Sequence, residues 1–493
     1  MITQQTVQQT IRQLKVRSLA VDSRLVKPGD TFLAYQGEMS DGRQYIPQAI
    51  ANGAQSIVWE ADGYTWNPSW KLPNQGIPDL RRQAGLIADS VYGSPSNQLW
   101  VIGVTGTNGK TSCSQWIAQA LSHVGRKCAV VGTLGSGFPG RLVRTEAEHS
   151  NTTPGAVALH ARLRSFCRAG ARAVSMEVSS HGLVQDRLSG VRVDVAMLTN
   201  ISRDHLDYHG TMRAYQAAKT RLFRMPSLSH AVLNTDDQLG TELAQRWRHR
   251  CAQLLGYGFR RQSARSRLSC VIGRNLKLDL NGMSFDVSTP WGKGKIQSAL
   301  IGEFNAMNLL GSLASLLASD VTLEQSIHAL AQVEPIPGRM ECFGGGPLPM
   351  VVVDYAHTPD ALEKILNTLR QIACRKSKII CVFGCGGDRD RGKRPLMGAT
   401  VSRLADMAIL TSDNPRNENP LDILEEIAAG ISGECHKIVE RREAIDQALK
   451  LANAGDIVLI AGKGHKRYQE IDGVMRRHHD ATVVRQLLAR RSK

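Results

Sequence analysis

Aromatic side chains are scarce in this chain, at 5% of 493 residues. Base-stacking platforms of the kind that single-stranded nucleic acids use are therefore not expected. No apolar run approaches the ~20 residues that cross a bilayer, so a membrane span is not expected. The first residues, Met1-Ile2-Thr3-Gln4-Gln5, lack a basic segment followed by an apolar one, which argues against a secretory signal. The ten cysteines form no C-x-x-C pair. Cys381 and Cys385 come closest and have the wrong spacing for a zinc ribbon, so buried or free thiols in a reducing cytoplasm are expected. Internal repeats and low-complexity segments are lacking too.

Positive charge, in contrast, is plentiful: the formal net charge is +17. The basic residues are spread out, with only short clusters such as Arg260-Arg261, Arg476-Arg477 and Arg490-Arg491. A basic surface serving polyanionic small substrates accounts for this as well as a nucleic-acid partner would. The remaining composition, 42% hydrophobic and 21% charged, is that of an ordinary globular protein. The length suggests about three domains.

Residues 1–88 read as a small α/β unit. It has strands at Thr31–Tyr35 and Ser56–Trp59, a helix at Tyr45–Asn52, a long loop over Gly63–Pro78 and a helix near Leu80–Tyr92. A second unit, 89–335, alternates helices with apolar runs typical of buried parallel strands, at Ala129–Gly132, Ala173–Val178 and Asp194–Asn200. Around 265–300 the alternation Leu276–Leu280 and Met283–Val287 suggests an antiparallel subsheet, and Asn305–Ala318 a helix. Pro335-Ile336-Pro337-Gly338 is a rigid break suited to a linker or hinge. The third unit, 336–493, repeats the pattern with strands near 350–354, 378–383, 407–411 and 456–461. The expected class is α/β, with polar loops after the C-terminal strand ends, where open sheets place ligands.

One such loop carries the strongest signal. Gly106-Thr107-Asn108-Gly109-Lys110-Thr111-Ser112 follows the apolar Leu99–Ile102 and precedes the helical spacing of Gln115–Leu121. A strand, a Gly-rich turn and a helix opening with Lys-Thr form a phosphate cradle. Backbone N–H groups face the anion, Lys110 adds a point charge, and Thr111 can ligand Mg²⁺. The strict Walker pattern misses by one residue, since position 104 is Val and the earlier glycine is Gly103.

Other loops carry chemistry with alternatives open. Glu177 ends a buried strand, where an acid either holds Mg²⁺ or caps a helix. Asn200–Gly210 packs two His and two Asp into a loop, and His205 is either a metal ligand or structural. Asp354, before a Thr358-Pro359 helix start, is a ribose or water-positioning acid or a plain loop residue. Gly384–Arg394 is Gly-rich and charge-dense. Asp413-Asn414-Pro415-Arg416 and Gly462-Lys463-Gly464-His465 follow two further strands. An Arg that grips a carboxylate and an Asp that takes an ammonium suit a zwitterionic amino acid, although the tetrapeptide is also a good turn.

Taken together, Gly106–Thr111, Glu177-Val178-Ser179-Ser180-His181-Gly182, Asn200–Gly210 and Asp354-Tyr355-Ala356-His357 resemble the Mur ligase family of ATP-dependent amide-bond-forming enzymes, over about residues 20–475. The resemblance implies a small N-terminal UDP-binding domain, a central P-loop-type ATPase domain with a mostly parallel sheet, and a C-terminal Rossmann-like domain for the incoming amino acid. Asp22-Ser23-Arg24, Asn151-Thr152-Thr153-Pro154 and Asp413–Arg416 resemble the members that add meso-2,6-diaminopimelate to UDP-N-acetylmuramoyl-L-alanyl-D-glutamate in peptidoglycan synthesis. The same resemblance implies that ATP phosphorylates the D-glutamate carboxylate and that the amine then displaces phosphate.

By that resemblance Gly106, Thr107, Asn108, Gly109, Lys110, Thr111, Ser112, Asn305, Asn308, Arg339 and Asp354 serve ATP. Thr111 and Glu177 serve one Mg²⁺; His205 and Lys219 serve a second, with Lys219 carbamylated to N6-carboxylysine rather than a plain helix-surface lysine. Val21, Ser23, Asn151, Thr152, Thr153, Ser179, Gln185 and Arg187 match positions that hold the UDP-muramoyl dipeptide. Arg389, Asp413, Asn414, Pro415, Arg416, Gly462 and Lys466 match the diaminopimelate side. Two departures stand out. Lys466 stands where such members usually have Glu, and Glu38-Met39-Ser40 replaces the commoner His-Gln-Ala. A cytoplasmic monomer with no nucleic-acid or membrane partner is expected. A Mur-type ligase for L-lysine or another amine, and a nucleotide-dependent nucleic-acid-binding protein, are the alternatives.

Overall fold

The computed structural model describes residues 4–38, 40–143, 151–247, 253–260, 268–279 and 282–491. Met39 and Leu280, singled out above, lie outside them, as does Arg261. Three sheets organise the chain, each built on short runs of buried β-branched and aliphatic residues.

The first sheet has four parallel strands in sequence order, Leu19–Ala20, Thr31–Ala34, Ser56–Glu60 and Asn74–Ile77. The last of these corrects the expected loop over 63–78. Asn74, Gln75 and Gly76 have little strand propensity, but they pair with the buried Ser56–Glu60 strand. The indole of Trp59 lies over Gly76, where a Cβ would stand 2.7 Å from the ring. The helix Gln4–Gln13 was not anticipated either.

The central sheet has eleven strands. Trp100–Thr105 lies in its middle, between Ala173–Glu177 on one side and Val195–Leu198 on the other, all parallel. Cys128–Gly132 continues beyond Ala173–Glu177, and His230–Asn234 and Gln253–Gly258 continue beyond Val195–Leu198. The chain therefore reverses its direction of travel across the sheet at Trp100–Thr105, the topological switch point where open α/β sheets form a crevice. The alternating segments around 265–300 pair antiparallel as expected, and they do so as a continuation of the central sheet. Ser269–Asp279 joins the parallel run through Gln253–Gly258, and Gly282–Thr289 and Gly292–Ser298 extend it antiparallel. One face is covered by the helices Lys110–His123 and Glu303–Leu317, which interlock through Trp116, Ile117, Leu309 and Leu313.

The third sheet runs Glu341–Gly344, Met350–Val353, Ile457–Ile460, Ile379–Phe383, Met407–Leu410, His436–Lys437. Four central strands are as expected; the first, antiparallel, and the last, two residues long, are additional. In Pro335–Gly338 the two prolines are exposed, while Ile336 and Gly338 face inward. Ile336 is buried, the Trp116 indole donates to the Glu334 carbonyl at 3.0 Å, and Gly338 leaves no room for a Cβ beside His465. Among the described residues no helix is long and apolar enough to cross a membrane, and the nine cysteines are free thiols.

One buried ion pair ties the third sheet together. Arg441 and Asp480 are both fully buried and meet in a two-pronged contact, Nε to Oδ1 and Nη2 to Oδ2, each at 2.8 Å. Arg441 also donates to the carbonyls of Ser412 and Ala461, so it anchors two loops at the strand ends. Burial alone would raise the Asp480 carboxyl, but Arg441 and His478 hold it well below the usual carboxylate range. A depressed carboxylate stabilises the fold above its unfolded pKa, and that contribution is lost as pH falls towards the folded value. Removing one partner strands a buried charge. Asp480→Asn is therefore expected to cost about 3–5 kcal/mol in this domain, measured by denaturant unfolding at neutral pH, with the deficit shrinking in acid.

Candidate active site

The loop after Trp100–Thr105 is shaped by two glycines. Gly106 has φ +145°, and a Cβ there would lie 1.8 Å from Thr199 Oγ1. Gly109 has φ +86°, and its Cβ would lie 2.4 Å from Asn308 Oδ1. Both positions thus demand glycine by conformation and by space. Thr199 Oγ1 donates to the Asn108 carbonyl at 2.6 Å, and Asn108 N–H donates to Asn200 Oδ1 at 3.1 Å. The helix Lys110–His123 starts directly after, with Ser112 buried in its first turn.

Two amines converge on this loop. Lys110 Nζ donates to the carbonyls of Gly106 and Thr107 at 2.9 and 2.8 Å, and Lys219 Nζ donates to the same Gly106 carbonyl at 2.7 Å. Lys219 is 1% exposed, so it is no helix-surface lysine. Burial, and then the charge of Lys110, push its amine well below the ordinary lysine value. Burial also lowers Lys110. Tyr215, one turn before Lys219, bonds Thr107 Oγ1 at 3.0 Å and presents its ring to the Lys219 amine at 4.6 Å.

Glu177 is buried beside the helix start rather than capping a helix. Its carboxylate accepts from Thr111 Oγ1 at 3.0 Å, and from the Thr133 N–H and hydroxyl at 2.7 and 3.0 Å. His205 has φ +53°, a conformation costly for a residue with a side chain. It faces His181 edge-on at 4.8 Å between ring centroids and lies 3.4 Å from an Asp204 carboxylate oxygen. Burial lowers His205, favouring the neutral imidazole that can ligand a metal. Among the described residues no three acid, His or Cys side chains already form a metal cage.

Thr153, Ser179, Gln185 and Arg187 are brought together. Thr153 Oγ1 accepts from Ser179 N–H at 2.9 Å, while Arg187 donates to the Thr153 carbonyl at 2.6 Å and to Gln185 Oε1 at 2.8 Å. Thr152 meets Thr133 through their hydroxyls at 3.2 Å. Asn151 is half-buried just before them. Val21 and Ser23 instead follow the first strand of the first sheet, Val21 exposed and Ser23 opening a 3₁₀ turn and bonded to Gln48 at 2.7 Å. The first domain reaches this cluster through Glu38, which accepts from Tyr208 Oη at 2.8 Å and pairs with Arg81 at 3.2 Å.

On the other side, Asn305 and Asn308 lie on the helix packed against Gly109. Arg339 stacks on Tyr355 at 4.5 Å. Asp354 is fully engaged by backbone, accepting from Met340 N–H at 2.8 Å and Ala356 N–H at 2.7 Å. Asn108 Nδ2 reaches Asp360 on the third domain at 3.3 Å.

At the third sheet, Asp413 and Asn414 face inward. The ammonium that Asp413 meets is that of buried Lys463, at 3.4 Å, and Lys463 also donates to Asn414 Oδ1 at 2.9 Å. Pro415 is buried and carries the turn to Arg416, whose φ is +53°. Arg416 and the exposed Arg389 stand on either side of Gly386. Gly462 borders Asp413, and Lys466 lies over the Tyr468 ring at 5.7 Å. Sequence reasoning missed Thr133, Tyr208, Tyr215, Asp360 and the Lys463 partnership. The available signals were the position of Thr133, directly after a strand, and that of Tyr208, inside the Asn200–Gly210 loop.

The three units each match a known family model: Mur ligase family, catalytic domain, over residues 15–88; Mur ligase middle domain over 104–316; and Mur ligase, glutamate ligase domain, over 338–464. A UDP-N-acetylmuramoyl-L-alanyl-D-glutamate–2,6-diaminopimelate ligase of Nitrosomonas europaea is 52% identical over 490 residues, covering 96% of this chain and 93% of that protein. Its namesake from Neisseria meningitidis serogroup A is 49% identical over 479 residues, with 96% and 95% covered. A solved structure of a ligase with that name superposes with a TM-score of 0.69 at 36% identity, over 97% of this chain and 96% of the other. Matched by the family's models in all three units and similar to these relatives along nearly their whole length, the chain belongs to the Mur ligase family.

Proposed function

We propose that this protein is an ATP-dependent ligase that adds meso-2,6-diaminopimelate to UDP-N-acetylmuramoyl-L-alanyl-D-glutamate, in the cytoplasm, during peptidoglycan precursor synthesis. The observation that carries this reading is the convergence of Lys110, Lys219 and the Gly106 carbonyl at the switch point of the central sheet, in a chain 52% identical to a ligase so named.

A carboxylate resists amine attack at neutral pH, so it must be activated. The γ-phosphoryl group of ATP passes to the D-glutamate carboxylate and ADP leaves. The amine of diaminopimelate then attacks the acyl carbon, phosphate departs, and the nitrogen gives up its proton. Lys110 exchanges its backbone carbonyls for phosphate oxygens, which are stronger charge-assisted acceptors. The loop N–H groups and helix start hold the same phosphates. Thr153, Ser179, Gln185 and Arg187 position the muramoyl dipeptide so that its carboxylate meets the phosphoryl group in line. Asn305, Asn308, Arg339 and Asp354 frame the nucleoside side.

Mg²⁺ fits the donors on the phosphate side. Thr111 and Glu177 offer hard oxygens 3.0 Å apart, and this ion takes few protein ligands where phosphate oxygens complete its shell. Bound there, it would neutralise charge on the transferring phosphoryl group. A buried, neutral-leaning Lys219 amine is the form that adds CO₂. That carbamate and His205 would together offer donors to a second ion.

Phosphate release with UDP-N-acetylmuramoyl-L-alanyl-D-glutamate and ATP tests the reading. Meso-diaminopimelate is expected to support turnover roughly 10²-fold better than L-lysine, because lysine leaves an arginine facing no anion. Equal or faster turnover with lysine would sink the specificity. Arg416→Ala should raise the diaminopimelate KM while sparing ATP and the UDP substrate; unchanged amine kinetics would remove Arg416 from the site. Lys219→Arg should lose nearly all activity yet keep the fold. A ¹³CO₂-derived carbamate resonance present in the parent protein and absent in this variant is the check on the modification.

A further inference from the structure

The rim of the amine site contains an ion pair that the reading above does not use. Arg416 Nε donates to Glu470 Oε2 at 3.1 Å, and Nη1 donates to the Gly387 carbonyl at 2.5 Å. Among the described residues, Arg416 Nη2 and Glu470 Oε1 have no hydrogen-bond partner. Both side chains are partly open to solvent, at 21% and 31%.

Backbone bonds hold the pair in place. Arg416 N–H donates to the Glu470 carbonyl at 3.0 Å, Asp472 N–H donates to the Arg416 carbonyl at 2.8 Å, and Glu470 N–H donates to Asn414 Oδ1 at 3.0 Å. The strand Tyr468–Ile471 is thus zipped to the Asp413–Arg416 turn, with a free guanidinium edge beside a free carboxylate oxygen. Arg389 also borders Gly386, where a Cβ would stand 3.1 Å from Arg416 Nη1 and 3.8 Å from Arg389 Cγ.

The far end of diaminopimelate bears a carboxylate and an ammonium on one carbon. Its carboxylate has two arginines to meet, but the ammonium needs an acid. Asp413 is engaged by Lys463, Glu418 binds Arg394 through both oxygens at 2.8 and 2.9 Å, and Asp388 accepts from Asn417 at 2.9 Å. Lys466 brings a cation to the same rim. We propose that Glu470 is a specificity-determining residue that receives the distal ammonium of the amine substrate while Arg416 and Arg389 receive its distal carboxylate. This rests on the amine site assigned above.

The test compares meso-diaminopimelate with 2-aminopimelate, which keeps the reacting amine and both carboxylates but lacks the distal amine. The parent enzyme should favour diaminopimelate in kcat/KM. In Glu470→Gln that preference should fall about tenfold, through KM, with the ATP and UDP-substrate KM values unmoved. Glu470→Asp should retain much of the preference. If Glu470 merely props Arg416, both amines weaken alike and the ratio stays put, which overturns the assignment. A parent enzyme that turns over neither amine would instead overturn the function proposed above, and this assignment with it.

Discussion

The close approach of the phosphate loop to Thr199 and Asn308 is the constraint on which the rest of the site depends. With no space for a Cβ at Gly106 or Gly109, the loop can pass between two strand ends and under the helix Glu303–Leu317. That path turns the Gly106 carbonyl toward Lys110 and Lys219 and sets the start of the helix Lys110–His123 beside Glu177. A wider loop would separate the two amines from each other and the hydroxyl of Thr111 from the acid. The strain of two left-handed glycines is small, since glycine has little preference against that region, so the arrangement is inexpensive to hold.

The electrostatics follow from that geometry. Burial disfavours charge on both lysines, and in this structure each is held by neutral carbonyl oxygens. On the function proposed above, polyphosphate supplies the anions that they lack. Phosphate binding therefore draws on desolvation already accomplished by folding, and a preorganised site of this kind needs little rearrangement when charge moves during transfer. Glu177 is arranged oppositely, its carboxylate satisfied by three donors from Thr111 and Thr133. Hydrogen bonds replace the water that its oxygens lose on burial.

The sequence made the phosphate loop legible because strand, turn and helix are contiguous there, and each local signal agrees with the others. The same holds for Glu177 and for Asp413–Arg416, which follow apolar strands directly. What could not be read depends on partners far along the chain. Lys219 looks like any lysine on a polar helix; its burial comes from a loop 113 positions away. The acid at 413 reads as an ammonium receptor until Lys463, 50 positions on, is found beside it. Asn74–Ile77 is a strand because Ser56–Glu60 offers it an edge and Trp59 covers Gly76, neither of which its own residues announce.

Under the proposed function, the separation of the site residues across three sheets follows from the chemistry they serve. An acyl phosphate is open to attack by water as well as by an amine, so activation and amine delivery must meet in a space that excludes water. Placing the phosphate loop on one domain and the amine reader on another lets each be rigid, and leaves closure to the contacts between them. Two polar bonds near the loop are among those contacts. Asn108 bonds Asp360 of the third domain, and Tyr208, stacked on His181 beside His205, bonds Glu38 of the first. Each involves one or two polar groups at a partly exposed rim, where a single hydrogen bond contributes on the order of 1 kcal/mol.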